Sequence, residues 1–314
     1  MAKYSKIISC GSYLPEKVIN NSDLPAILET SDEWIRARTG ITQRHIAADG
    51  ELTSDLAAKA AKIALEKAGL AAVDLIIVAT TTPDTTFPAT AVSVQKKLGM
   101  HSGFAFDIQA VCSGFVYAMN MADIYIKSGQ AKTALVIGAE TITRILDWAD
   151  RGTCVLFGDG AGAVILGESD EPGILSAKLH SDGQFQQELY VDGGVSINQQ
   201  AGLLRMNGKE VFRHAVEKMG NVVLEALEDA DYGIEDVKWL IPHQANQRIM
   251  DAIAKRFKID SDKVLSAVAK HANTSAASIP LAICEHEAKL KSGDLVALTA
   301  LGAGFTWGSI ILKW

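Results

Sequence analysis

Three short signatures carry the side chains best suited to covalent chemistry. Cys112 stands at the head of a run whose apolar residues, Phe115, Met119, Ala122 and Ile126, have helical spacing. His243 lies in Pro242-His243-Gln244-Ala245-Asn246, and Asn273 opens Asn273-Thr274-Ser275-Ala276-Ala277-Ser278. A nucleophilic thiol, an imidazole and a carboxamide together suit acyl transfer through a covalent thioester. The carboxamide narrows the chemistry further, because it donates hydrogen bonds but takes up no proton. It serves a reaction that generates its carbanion without removing a proton from carbon, and loss of CO2 from a malonyl thioester is such a reaction. A thiol at a helix N-terminus is expected to be shifted toward thiolate by the helix dipole.

These residues must be held by strands and helices that the apolar pattern marks out. Cys112 follows a strand expected at Phe104–Ile108. His243 follows Trp239-Leu240-Ile241-Pro242 and so sits at a strand's C-terminal end, where α/β folds gather their ligands. Asn273 follows a strand-like stretch at 264–268 and precedes a helix start. Asn273, Thr274, Ser275 and Ser278 also read as plain helix caps. Gly302-Ala303-Gly304, after an apolar strand at 295–301, reads either as an oxyanion hole or as a tight turn. Phe157-Gly158-Asp159-Gly160-Ala161-Gly162 lacks the Lys-Ser/Thr of a phosphate loop and reads as a hairpin turn. Cys10, Cys154 and Cys284 lie in or beside apolar runs and read as structural.

The order of elements repeats. Ala64-Leu65-Glu66 and a strand at 73–78 echo Ala226-Leu227-Glu228 and a strand at 237–241. Lys127-Ser128-Gly129 before 134–138 echoes Lys291-Ser292-Gly293 before 295–298, each read as a helix ending at Gly ahead of a buried strand. Ala161–Leu166 echoes Trp307–Leu312. Helices alternating with apolar strands imply α/β layers with mostly parallel sheets, here in two similar halves, 1–170 and 171–314, joined near 168–173. Residues 183–208 and 20–44 fit the scheme poorly and read as irregular excursions.

The 314 residues carry a net charge of -7, which argues against a general nucleic-acid binder. No apolar run approaches a membrane span, and the N-terminal residues read as a first strand rather than a signal peptide. The four cysteines stand far apart, so neither zinc nor a disulfide framework is indicated, and a reduced, cytoplasmic protein is expected.

The chain resembles, essentially end to end, the β-ketoacyl-acyl carrier protein synthase III family of the thiolase superfamily. The resemblance rests on Thr30-Ser31-Asp32-Glu33-Trp34-Ile35, Arg38-Thr39-Gly40, Ala110-Val111-Cys112-Ser113-Gly114-Phe115, Asp150-Arg151-Gly152-Thr153, the 157–161 glycine run, the His243 and Asn273 signatures, and Gly304-Phe305-Thr306-Trp307-Gly308. It implies a duplicated, five-layer α-β-α-β-α fold, a homodimer, and initiation of type II fatty acid synthesis from acyl-CoA and malonyl-acyl carrier protein. By position it implies Cys112 as acylated nucleophile, and His243 and Asn273 on the malonyl thioester oxygen. The backbone amides of Cys112 and Ala303 would form the oxyanion hole. Trp34 and Arg151 would sandwich the adenine of coenzyme A, with Thr30 and Arg38 near the nucleotide and Asn246 and Gly208 on the pantetheine arm. Phe87 would reach the partner subunit's acyl pocket, favouring a short primer such as acetyl. No resident cofactor or metal is implied, coenzyme A entering as a substrate thioester.

The carrier protein is acidic, so a basic patch is expected, with Arg213, Arg248, Lys255, Arg256 and Lys258 as candidates. Three departures stand out: Ala272 and Ala303 where relatives often have Gly, and Lys209 after Gly208 where some have Asn. Either alanine is strained if its position demands positive φ. A related synthase of secondary metabolism is the nearest alternative reading. A Cys-His-Asn hydrolase lacks the local cysteine signature such enzymes show. A degradative thiolase lacks its second reactive Cys, and a silent CoA-binding protein would have no use for all three side chains.

Overall fold

The computed structural model describes residues 4–314. The first strand expected at the N-terminus is β1 (Tyr4–Tyr13), residues 1–3 lying outside the described part. It is followed by an excursion in which β2 (Lys17–Asn20) and β3 (Gln43–Ile46) pair around helix α1 (Asp32–Thr39). Next come α2 (Thr53–Ala68), β4 (Leu75–Ala79), α3 (Thr90–Lys97), β5 (Phe104–Ile108), α4 (Gly114–Lys127), β6 (Thr133–Glu140) and β7 (Gly160–Ser169). The second half begins at β8 (Ile174–Ser181) and continues through β9 (Leu189–Val191), β10 (Leu204–Met206), α5 (Gly208–Asp229), β11 (Trp239–Pro242) and α6 (Gln247–Phe257). Helices α7 (Val268–His271) and α8 (Ser278–Glu285) and strands β12 (Leu295–Gly302) and β13 (Thr306–Lys313) complete it.

The duplication holds for four strands of each sheet and breaks at the last. The first sheet has the order β1-β7-β6-β4-β5, the second β8-β13-β12-β11. In each, the first three strands pair antiparallel and the next pairs parallel. The counterpart of β5 is reduced to a single parallel bridge, Leu240 to Val264. This corrects two expectations. Residues 264–268 are not a strand: the Gln244 side chain captures the Ala267 amide at 2.8 Å, the ladder stops, and α7 starts at Val268. Nor do parallel pairs predominate, since the two pairs at the β1 end of one sheet and at the β8 end of the other run antiparallel.

Side-chain alternation builds the layers. On β4, Leu75, Ile77 and Ala79 face the centre of the molecule, packing with Phe115, Met119 and Ile126 of α4. Ile76 and Val78 face outward onto Leu56, Ala60 and Ala64 of α2. On β12, Val296, Leu298 and Ala300 join the central cluster with Ile279 and Ile283 of α8, while Leu295 and Ala297 pack outward with Val223 of α5 and Ile253 of α6. Two central helices between two sheets, each sheet covered outside by helices, make five layers. Gly138 on β6 is required by this stacking, because a Cβ there would lie 2.2 Å from the Ala276 carbonyl oxygen. That contact seats the loop after Asn273 directly on β6.

Three further readings are revised. Residues 157–162 are not a hairpin turn: the segment leads straight into β7, and Phe157 forms a parallel bridge with Asn273. Residues 183–208 contain the β9–β10 hairpin, tied down by Arg205 between Asp192 and Asp147. The stretch before Gly293 is a single 3-10 turn, Glu287–Lys289, where a helix end was expected.

Candidate active site

Cys112 sits in a 3-10 turn, Val111–Ser113, between β5 and α4. Val111 before it has φ 48°, a left-handed conformation that a β-branched residue adopts only at a cost of roughly 1–3 kcal/mol. The turn is pressed against the end of β12. A Cβ on Gly302 would stand 2.9 Å from the Cys112 amide nitrogen and 3.0 Å from that of Ser113. Cys112 is buried, and burial pushes its thiol up to about 12. The expected shift toward thiolate is therefore overturned: Cys112 precedes the first turn of α4, and desolvation outweighs any help from the dipole. Its sulfur lies 3.6 Å from Ser275 Oγ.

His243 directly follows β11, its N–H donating to the Thr299 carbonyl at 2.7 Å. Its Nδ1 is 2.6 Å from Ser278 Oγ, which also accepts the Gln244 N–H at 3.3 Å. Ser278 has one hydroxyl proton and spends it on Nδ1, so the network assigns the imidazole proton to Nε2. Burial pushes the His243 pKa down to about 3 and keeps the ring neutral. The sign of the linkage follows. Below an unfolded pKa of about 6.5 the unfolded chain binds a proton that the folded one does not, so stability falls as pH drops toward 3. Between pH 7 and 5 His243 should cost the fold about 2 kcal/mol, with a parallel loss from His271, which burial pushes down to about 4. Thermal melts of His243→Gln over that range should show a flatter pH slope than the native chain.

Asn273 is suspended between strands. Its N–H donates to Leu156 O at 2.9 Å and its carbonyl accepts the Gly158 N–H at 3.0 Å. Its side-chain Oδ1 accepts the Ser275 N–H at 2.9 Å, leaving Nδ2 as the outward donor. Ala272, just before it, has φ 58° and ψ -162°, a region that suits glycine almost alone. The strain expected of an alanine there is present at Ala272; Ala303 has no positive φ. Ser275 and Ser278 are not helix caps. One faces Cys112 and the other His243, roles that sequence spacing does not reveal.

Cys112, His243 and Asn273 line one cavity of about 490 Å³, together with Arg38, Gly208 and Asn246. The first three are buried; Arg38 and Gly208 are exposed, so the cavity runs from solvent to the trio. Asn246 caps α6, its Oδ1 accepting the Ile249 N–H at 3.0 Å. Arg38 and Arg151 both approach the Trp34 ring, their guanidinium carbons 4.7 and 5.0 Å from its centre. A purine between Trp34 and Arg151 needs about 7 Å, two contacts of roughly 3.5 Å. Arg151, held by the Glu29 carbonyl at 2.9 Å, must swing aside to admit one. Thr30 carries a buried hydroxyl with no partner.

Other expected residues lie apart. Ala303 and Val111 line a second cavity of about 790 Å³ beyond Cys112. Phe87 is 83% exposed and lines neither. Arg213 is paired with Glu210 at 2.7 Å, and Arg256 lies on the α5 backbone at the Val216 and Glu217 carbonyls. Arg248, over the Phe212 ring, and Lys255 form no ion pair among the described residues, and Arg248 lines the catalytic cavity. Among the described residues there is no cluster of three or more metal-ligating side chains and no helix long and apolar enough to cross a membrane.

A buried Cys-His-Asn trio at the junction of two duplicated α/β halves defines a condensing acyltransferase of the thiolase-like class. Residues 106–183 match the family described as 3-Oxoacyl-[acyl-carrier-protein (ACP)] synthase III, and residues 227–314 match its C-terminal part. The chain belongs to the 3-oxoacyl-[acyl-carrier-protein] synthase III family. It is 59% identical to the beta-ketoacyl-[acyl-carrier-protein] synthase III of Rhodospirillum centenum, covering 99% of both chains. The crystal structure of the 3-oxoacyl-[acyl-carrier-protein] synthase III of Aquifex aeolicus superposes with a TM-score of 0.94 at 48% identity, covering 99% of this chain and 100% of the other. That of Pseudomonas aeruginosa gives 0.94 at 43%, covering 99% and 98%.

Proposed function

We propose that this chain condenses a short acyl-CoA, acetyl-CoA in the first instance, with malonyl-acyl carrier protein through an acyl-Cys112 intermediate. The observation that carries the reading is the pair of neutral donors in the same cavity as the thiol, His243 Nε2–H and Asn273 Nδ2–H, each fixed by a hydrogen bond on its other side. Neither is a base at neutral pH. Both suit an oxygen that gains negative charge.

The first half-reaction joins Cys112 Sγ to the acyl carbon and releases the CoA thiolate, with backbone amides at Cys112 and Ala303 opposing the tetrahedral oxygen. In the second, malonyl-carrier protein enters the same cavity. His243 and Asn273 donate to its thioester oxygen as CO2 leaves, and the resulting carbanion attacks acyl-Cys112. No resident cofactor is needed for these steps. The nucleotide end of CoA would meet Thr30, Trp34, Arg38 and Arg151, with Gly208 and Asn246 along the pantetheine.

The exposed Phe87 supports a homodimer in which it fills a partner's pocket, and the reduced cysteines suit the cytoplasm. The experiment is intact-protein mass after exposure to a panel of acyl-CoAs: one acetyl group, discharged by malonyl-carrier protein, supports the reading, and labelling by long or aromatic acyl groups alone moves it to a specialised pathway. Of the basic residues, Arg248 fits carrier docking best, being unpaired and at the cavity. Arg248→Glu should raise KM for malonyl-carrier protein about tenfold while leaving the acylation rate by acetyl-CoA within a few fold. Equal losses in both steps would remove Arg248 from the docking surface.

A further inference from the structure

A fully buried carboxylate, Glu140 at the end of β6, stands behind the nucleophile and has no part in the reaction as set out above. Cys112 Sγ is 3.6 Å from Ser275 Oγ, and Ser275 Oγ donates to Glu140 Oε1 at 3.1 Å. The carboxylate is otherwise held by hydroxyls and one amide: Thr80 Oγ1 at 3.2 Å, Thr81 N–H and Oγ1 at 3.1 Å, and Thr82 Oγ1 at 2.5 Å. No Lys or Arg forms an ion pair with it among the described residues. A buried carboxylate without a cation is costly to keep, and hydroxyl donors only partly offset that cost. Ser275 is itself held at φ 50°, in the left-handed region, where its N–H reaches Asn273 Oδ1 and its Oγ lies between sulfur and carboxylate.

We propose that Ser275 and Glu140 form the path by which the Cys112 proton leaves during acylation and returns after condensation. The inference rests on the acyl-Cys112 reading above. As Sγ bonds to the acyl carbon, its proton passes to Ser275 Oγ while the Ser275 hydroxyl proton passes to Glu140 Oε1. The carbon–sulfur bond to CoA breaks, and the CoA thiolate takes a proton from solvent. When the carbanion attacks acyl-Cys112, Sγ leaves with its electron pair and recovers the proton from Glu140 through Ser275. The carboxylate ends unchanged, and one solvent proton is consumed in each turnover. Ser275 touches the reacting atom; Glu140 acts through it.

The surrounding titratable groups leave few other candidates. His243 has Nδ1 committed to Ser278 and is too weak a base at neutral pH. Asp159, beside the β6–β7 pairing, is occupied by the Ala47 and Thr143 amides and the Thr143 hydroxyl. Asp84 is held by Ser54. Among the described residues Glu140 is the carboxylate nearest in hydrogen-bond sequence to the thiol, through Ser275, and burial raises its own pKa, which makes it a stronger proton acceptor.

The test is the single-turnover rate of Cys112 acetylation by acetyl-CoA between pH 6 and 10, in native protein, Glu140→Gln and Ser275→Ala. Native protein should show a rate that rises only while Glu140 loses its proton and then levels off with pH. Both variants should be slower by about 100-fold at pH 7, with the rate rising about tenfold per pH unit as hydroxide takes over the proton. Glu140→Asp should recover part of the loss. Decarboxylation of malonyl-carrier protein moves no thiol proton and should stay close to native in all three. A flat profile in Ser275→Ala, or an equal loss at every pH in either variant, overturns the relay. Ser275→Ala keeps Glu140 and all its other donors, so it decides the matter if Glu140→Gln folds poorly. Failure of the native protein to acetylate on Cys112 would instead overturn the acyl-transfer reading on which the relay rests.

Discussion

Cys112→Ala should take up no acyl group from any acyl-CoA, and condensation should fall by at least about 10⁴-fold. The thiol is the one strong nucleophile in the cavity. His243 Nδ1 is engaged with Ser278, and the Ser275 hydroxyl is directed at Glu140. The fold should survive the change, because Cys112 contributes one small buried side chain and one long hydrogen bond of 3.6 Å. Malonyl-carrier protein should still lose CO2 on the variant, since the donors of His243 and Asn273 remain. Intact-protein mass and CO2 release separate the two half-reactions. Retained condensation would remove Cys112 from the mechanism.

The second large effect is at Asn273. Asn273→Ala should lower decarboxylation by roughly 10²–10³-fold, the usual cost of removing one donor from an oxyanion site, while acetylation of Cys112 changes only a few fold. The alanine also removes Oδ1, the acceptor for the Ser275 N–H. Asn273→Asp isolates the donor, because it keeps that acceptor and puts a carboxylate oxygen where Nδ2 stood. Its decarboxylation should be at least as poor as that of the alanine variant, with acylation again largely intact. If both half-reactions fall together in both variants, Asn273 holds the site's shape rather than the developing charge.

Much of this site was legible in the chain. Strand ends are marked by apolar runs that stop abruptly, and His243 and Cys112 each follow one, so their meeting at one edge of the layers was expected. The repeat of helix and strand foretold two halves, and the matching strand orders of the two sheets bear it out. What stayed hidden depends on contacts between distant segments. Ser275 and Glu140 are 135 residues apart, and Ser278 and His243 are 35 apart. A hydroxyl after Asn273 looks locally like a cap, and only the seating of Ala276 on Gly138 turns it toward the thiol. The raised thiol pKa was missed for a related reason. A helix dipole can be inferred from local pattern, whereas desolvation depends on every layer packed around the sulfur. The strand expected at 264–268 failed because a single buried side chain, Gln244, claimed the amide that would have continued it.

The bridge between Phe157 and Asn273 means that the boundary drawn by repetition is not a boundary of function. Asn273 belongs to the second half by descent, yet its main chain is bonded on both sides to the first, at Leu156 and Gly158. In the proposed mechanism the nucleophile comes from one repeat and both thioester donors from the other. A chain cut at the loop between Ser169 and Ile174 would yield two fragments, each with one whole sheet and neither with a working centre. Activity would return only on reassociation, with a rate that depends on fragment concentration. The two repeats are thus alike as scaffolds and unlike as contributors, a division of labour that ties the enzyme's survival to the covalent link between them.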